Sequence, residues 1–486
     1  MPKDLELEFI GRTYDDFLFR PQQSVVATRG EVSLRTRLTR ALELALPVVS
    51  ANMDSVTGAH MAKTLALEGG LGFIHRGMPV VAQADKVRDV KRSHGYVVEQ
   101  PFTLPRTATL REAHELVVDK GFSALIEESP GSGTLAGLLT ARDIPWFDVD
   151  ETRKVEEFMT PLARLHVGPP DIGLEKAEQL LFENRIEKLP LIDRDHRIRG
   201  LITKQDVILH HHRPHVSTDQ KGRLRVGAAI GATGDFLERA DALVEAGVDV
   251  LLIDIAHGHS DVMQRAVEGF RARHADVPLI CGNVGTAEGA RFLADLGADA
   301  VKVGIGPGRG CRTRIETGAG VPQLQAVRET WCALGEELPI IADGGVRQDK
   351  DIFLALVCGA SSVMLGSVLS GTDEAPGTLI EDPASGHKMK IYRGMTSPQA
   401  VFQALYESDE DPAEDAFDTP PEGQEIQVPY RGSVIDIVQR IRGHLRSAVS
   451  YAGARSLEEA RGAIVQDPLR YLIPLTEASR RESYER

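Results

Sequence analysis

Cysteine is scarce in this chain: four among 486 residues, at 281, 311, 332 and 358, with no pair at Cys-x-x-Cys spacing. That scarcity excludes a disulfide framework and a zinc ribbon, and it fits a reducing cytoplasm. Positive charge is also in deficit. Lysine and arginine number 56 against 71 aspartates and glutamates, a formal net charge of -15. Bulk DNA or RNA is thereby disfavoured as a partner, while a local basic patch can still hold a phosphate. No apolar run approaches the roughly 18 residues of a membrane helix, and Met1-Pro-Lys-Asp-Leu-Glu-Leu-Glu8 has no basic stretch before an apolar core. The expectation is a cytoplasmic protein with no membrane and no nucleic-acid partner.

What is present is ordinary globular composition, 42% hydrophobic and 26% charged, in a length that suggests about two or three domains. Short apolar runs ending in Gly, Asn, Asp or Ser are each followed by a helical pattern, which reads as parallel β/α architecture. Eight strands are predicted, over 46–50, 70–74, 225–230, 248–254, 277–281, 298–303, 339–342 and 362–365. Helices are predicted between them, for example over 235–246 and 286–296. Eight such units make an α/β fold, a (β/α)8 TIM barrel with its chemistry at the C-terminal strand ends.

The count requires setting aside the residues between the second and third strands. Barrel is expected over 1–98 and 215–486, and a second domain over 99–214. Within the latter, 102–158 and 160–213 read as two copies of one unit. Gly137-Leu-Leu-Thr-Ala-Arg-Asp143 closes the first copy, and Gly200-Leu-Ile-Thr-Lys-Gln-Asp206 closes the second. This repeated Gly-apolar-apolar-Thr-x-x-Asp pattern resembles a tandem CBS (Bateman) domain. The resemblance implies a regulatory purine nucleotide, ATP or GTP, at Thr140, Asp143, Thr203 and Asp206. His210-His-His-Arg-Pro-His215 reads as a polar re-entry linker, since it lacks the spacing and carboxylates of a metal site.

The stretch 302–320 is dense in glycine, with Cys311 at its centre. Such a loop brings backbone close to a ligand and presents the thiol instead of packing it. Arg309, Arg312 and Arg314 flank the cysteine, and nearby positive charge favours thiolate.

Around this loop stand Tyr14-Asp-Asp-Phe-Leu18, Ala342-Asp-Gly-Gly-Val346, Met364-Leu-Gly-Ser367, Gly371-Thr-Asp-Glu-Ala-Pro376 and Tyr392-Arg-Gly-Met395. With these motifs the chain resembles the IMP dehydrogenase and GMP reductase family over essentially its full length. The resemblance implies Cys311 as the nucleophile that forms a thioimidate at purine C2. It implies a substrate site of Asn52, Asp343, Gly345, Gly366, Ser367, Tyr392, Gly394 and Met395, and a cofactor side containing Asp254 and Asn283. It implies a monovalent cation such as potassium on the carbonyls of Gly306, Gly308 and Cys311. Homotetramers, with octamers formed through the CBS domains, are implied as well.

The two family reactions diverge after the thioimidate. Hydrolysis to XMP in the dehydrogenases uses mainly an Arg-Tyr pair on a flap, here expected over 396–430. This chain has no Arg or Lys between Gly394 and Tyr430, and 407–425 carries nine carboxylates. Thr313 and Glu422 resemble the reductase's Thr-Glu couple, which handles protons on the leaving ammonia. Asn52 in Ala51-Asn-Met-Asp54 and the segment Leu445 to Gly453 also look reductase-like. The reading is therefore a GMP reductase, converting GMP to IMP and ammonia with NADPH. The alternative is an IMP dehydrogenase using NAD, which the motifs 371–376 and 320–323 resemble; a non-catalytic purine-nucleotide sensor is the third reading.

Overall fold

The computed structural model describes residues 7–93, 97–98, 101–114, 116–117, 123–145, 150–205, 207–208, 215–381, 386–400 and 420–484. The chain divides into two compact units. The larger holds residues 1–91, 215–217 and 224–486, and the smaller holds 92–214 and 218–223.

The larger unit is a closed barrel of eight parallel strands. These are β1 (Val48–Ser50), β2 (Leu71–Ile74), β3 (Gly227–Ile230), β4 (Val250–Asp254), β5 (Leu279–Val284), β6 (Ala300–Val303), β7 (Ile340–Asp343) and β8 (Ser362–Leu365). Their runs are buried on both faces, as a parallel sheet wrapped in helices requires. The helices are α1 (Ala59–Leu67), α2 (Val80–Arg92), α3 (Phe236–Glu245), α4 (Asp261–Arg273), α5 (Ala287–Asp295), α6 (Gln323–Leu334), α7 (Asp349–Val357) and α8 (Val434–Tyr451). Ser260 and Thr286 cap α4 and α5 by accepting from the amides of Met263 and Gly289, which satisfies donors that a helix start leaves bare.

All eight predicted strands are present, with several starting about two residues late. Pro278 and Pro339 explain two of those starts, because proline brings no ladder donor. At the other end β7 gains one residue, Asp343, and β5 departs further. Its sequence reading stops at Cys281, but the strand continues to Val284 across a register shift between Gly282 and Val284. Asn283 is the extra residue of this bulge. A bulge re-aims a side chain locally, and here it does so at the cavity mouth.

Between β8 and α8 the chain builds a three-stranded antiparallel sheet of β9 (Ile380–Glu381), β10 (Lys388–Arg393) and β11 (Glu425–Pro429). The end of the segment expected as a flap is thus a strand, paired to β10 from Met389↔Pro429 to Arg393↔Glu425. Residues 401–419 lie outside the described residues.

The smaller unit repeats one pattern, a helix followed by two antiparallel strands. Leu110–His114 precedes Ala124–Glu127 and Leu135–Leu139, while Leu174–Glu183 precedes Lys188–Ile192 and Ile198–Thr203. Each sheet gains a strand from outside its own copy: Thr160–Pro161 beside Leu135–Leu139, and Val97–Val98 beside Ile198–Thr203. The motif glycines permit this approach. A Cβ on Gly137 would lie 2.7 Å from the Thr160 carbonyl, and one on Gly200 would lie 2.9 Å from Val97. Among the described residues no helix is long and apolar enough to cross a membrane.

Candidate active site

The C-terminal strand ends open into a cavity of about 1240 Å³. The strands bring Asn52 just past β1, Asp254 at the end of β4, Asn283 on β5, Lys302 on β6, Asp343 at the end of β7, and Gly366 and Ser367 after β8. The β6–α6 loop contributes Gly306, Gly308, Cys311 and Thr313. From the added sheet and the chain flanking its strands come Tyr392, Gly394, Met395 and Glu422, all lining the same cavity. Gly345, after β7, completes this set.

Cys311 Sγ lies 3.1 Å from Thr313 Oγ1, and that hydroxyl donates to Glu422 Oε2 at 2.7 Å. A threonine hydroxyl has one proton to give, so with that proton on Glu422 its lone pairs face the thiol. The three groups form a proton path from sulfur to carboxylate. Backbone pairing fixes it: Arg312 N donates to the Glu422 carbonyl at 2.7 Å, and Gln424 N donates to the Gly310 carbonyl at 3.0 Å. Gly394 N in turn donates to the Gln424 carbonyl at 3.0 Å. The cysteine loop, the Glu422 segment and the Tyr392 segment are therefore stitched together.

The flanking arginines have partners besides the sulfur. Arg312 pairs with Glu316 at 2.6 Å. Arg314 donates to the carbonyls of Ile305 and Val321, holding the loop's own ends. Arg309 lines the cavity. Adjacency in the chain puts three charges near the thiol, and two of them also hold other partners.

Deeper in the cavity Lys302, only 2% exposed, sits 2.6 Å from Asp343 Oδ2 and 3.0 Å from Asp254 Oδ1. Burial alone would lower its pKa; the two carboxylates outweigh that and hold it above the usual lysine value. Asn52 Nδ2 donates to Asp254 Oδ2 at 2.7 Å, and Asn283 Nδ2 donates to Asp343 Oδ2 at 3.0 Å and to the Gly304 carbonyl at 2.8 Å. Lys302 was not singled out from the sequence, where it passes as part of an apolar run. The signal was there: a lysine inside a run that becomes a wholly buried strand must have a charge partner.

Tyr392 is buried, and burial pushes its phenol up from the ordinary tyrosine value, so it remains a neutral donor. A Cβ on Gly366 would approach its Oη to 3.0 Å, which accounts for glycine opposite the phenol. Elsewhere, Thr140 N and Oγ1 each donate to Asp143 Oδ2 at 2.8 Å in the smaller unit. Thr203 ends the strand Ile198–Thr203. Asp206 and residues 210–214 lie outside the described residues, and no cluster of three metal-ligating side chains occurs among those described.

Fold and site define a (β/α)8 barrel with a free, partly buried cysteine lining the cavity at its strand ends. The model of the IMP dehydrogenase / GMP reductase domain matches residues 11–485. An inosine-5'-monophosphate dehydrogenase from Aquifex aeolicus is 43% identical over 479 residues, covering 98% of this chain and 95% of that protein. One from Nitrosopumilus maritimus is 42% identical, covering 92% and 94%. Among solved structures, a cysteine-to-alanine variant of the GMP reductase from Trypanosoma brucei in complex with guanosine 5'-monophosphate superposes with a TM-score of 0.84 at 39% identity, covering 97% of each chain. The same reductase in complex with guanosine 5'-triphosphate gives 0.73 at 36%, covering 96% and 98%. The chain belongs to the IMP dehydrogenase / GMP reductase family, and it is an oxidoreductase acting on purine nucleotides. Dehydrogenases at 43% and a reductase at 39% are too close for overall identity to choose the reaction.

Proposed function

We propose that the protein is a GMP reductase, converting GMP to IMP and ammonia. The observation that carries this reading is the continuous path from Cys311 through Thr313 to Glu422 at 3.1 and 2.7 Å. Thiol addition to purine C2 sends the sulfur proton through Thr313 to Glu422. The same proton returns to the 2-amino group, which departs as ammonia, leaving a Cys311 thioimidate. When bound, reduced nicotinamide, read as NADPH, supplies a hydride to C2. Expulsion of the Cys311 thiolate then gives IMP. Each step leaves water unused, consistent with a chain that has no Arg or Lys between Gly394 and Tyr430.

In this reading Asp343 accepts from ribose hydroxyls. The phosphate is held by Gly345, Gly366, Ser367 and the Tyr392 phenol, while Gly394, Met395 and Asn52 border the base. Asp254 and Asn283 face the cofactor. Asn283 Oδ1 is buried and accepts no hydrogen bond among the described residues, which suits it to a carboxamide donor. The carbonyls of Gly306 and Cys311 likewise accept none among the described residues, whereas that of Gly308 takes the Cys311 amide at 3.0 Å. A monovalent cation such as potassium would be held by these three oxygens and would steady the loop. The smaller unit is read as the tandem CBS domain, taking ATP or GTP at Thr140, Asp143, Thr203 and Asp206, in a tetramer that can pair into an octamer.

The second reading is IMP dehydrogenase with NAD, favoured by dehydrogenases 42–43% identical over at least 92% of this chain. The test incubates purified protein separately with GMP plus NADPH and with IMP plus NAD, following the reduced-nicotinamide absorbance. Loss of signal in the first mixture alone is the expected result. Gain in the second alone overturns the reductase reading, and silence in both supports a nucleotide sensor.

A further inference from the structure

Lys302 is buried within the barrel, yet its ammonium contacts carboxylates from two different strands, β4 and β7. Each carboxylate has a second tether. Asp254 accepts Lys302 on Oδ1 and Asn52 on Oδ2, whereas Asp343 accepts both Lys302 and Asn283 on Oδ2. Among the described residues Asp343 Oδ1 accepts no hydrogen bond, and the Asp343 side chain keeps 21% exposure to the cavity. A ligand hydroxyl therefore meets a carboxylate whose other oxygen is already fixed. Such rigidity is worth most where two ligands must meet at one reacting carbon.

We propose that Lys302 is a positioning residue that couples the substrate and cofactor halves of the site, holding Asp343 and Asp254 in one rigid triad. The proposal rests on the assignment of Asp343 to the substrate ribose and Asp254 to the cofactor side. Because the triad is one body, a ligand ordering either carboxylate orders the other, and each ligand tightens the other by the same factor. Without the lysine, two carboxylates formerly within 3.0 Å of one nitrogen lose their common tether.

The experiment compares the wild-type enzyme with Lys302→Met and Lys302→Arg. Calorimetry measures how much the oxidised nicotinamide tightens the substrate nucleotide, using whichever nucleotide and cofactor pair the protein turns over, so that a wrong reaction assignment does not affect the result. In wild type the factor exceeds one. In Lys302→Met it falls to about one and kcat/KM drops about 100-fold. Lys302→Arg restores part of the coupling. The rate of Cys311 alkylation and the thermal midpoint, unchanged in Lys302→Met, separate mispositioning from misfolding. Wild-type coupling of one, or a Lys302→Met enzyme with wild-type coupling, overturns the proposal. If Lys302→Met does not fold, Lys302→Arg decides alone: reduced coupling supports it, and unaltered coupling despite the changed geometry overturns it.

Discussion

At the scale of single residues, Thr313 has the most exacting position, since its one hydroxyl must serve both the Cys311 sulfur and the Glu422 carboxylate. Thr313→Val keeps the shape and removes the relay. Its kcat is expected to fall about 10²- to 10⁴-fold, the range of general acid–base assistance, with KM for the nucleotide little changed. Steady-state kinetics with ammonia detection checks this, and alkylation of Cys311 at the wild-type rate would show the thiol still presented. Cys311 was legible as a thiol in a glycine-rich loop, whereas Thr313 and Glu422 were named through the family resemblance, and the structure brings the three side chains together. Lys302 was not legible, because its partners arrive from strands about 40 to 50 residues away on either side and nothing local announces them. Arg312 and Arg314 also hold Glu316 and the Ile305 carbonyl, partners that chain proximity to the sulfur does not announce.

At the scale of elements, barrel strands were legible to within about two residues because apolar runs buried on both faces have sharp polar ends. The β5 bulge was hidden, since Gly282-Asn283 reads equally as a turn, and it is this bulge that aims Asn283 at Asp343. Hidden too was the added sheet. Its strand Glu425–Pro429 follows an acidic stretch that suggests a loop, yet its pairing with β10 anchors the chain just after Glu422, whose carbonyl takes the Arg312 amide of the cysteine loop. Gly394 is the contact point. A Cβ there would lie 2.5 Å from the Gly310 carbonyl and 3.3 Å from Gly423. Gly394→Ala should push the cysteine loop off the Glu422 segment, lowering kcat/KM at least tenfold, while the barrel's thermal midpoint moves by no more than a few degrees. Kinetics and a melting curve on the same preparation separate these effects. A large loss of midpoint with proportionate loss of activity would instead mean that the contact maintains the fold.

At the scale of the whole molecule, the barrel closes without help from the smaller unit. β2 and β3 flank the insertion in sequence, yet they pair directly through Phe73↔Gly227 and Ile74↔Ala228. Every group of the cysteine path and the lysine triad belongs to the larger unit. The repeat in the smaller unit was legible because the same motif recurs in it, but the strands each copy gains from outside were not, being only two residues long. Replacing residues 92–214 by a short Gly-Ser linker is therefore expected to leave kcat within about threefold of the full chain, since no catalytic group is removed. Regulation should behave differently. A nucleotide on the smaller unit can alter catalysis only if it binds two states of the protein unequally. Millimolar ATP or GTP should thus change the rate or the sedimentation of the full chain and neither property of the excised one. A response that survives excision would locate nucleotide control in the barrel, where the purine cavity itself becomes the site of inhibition.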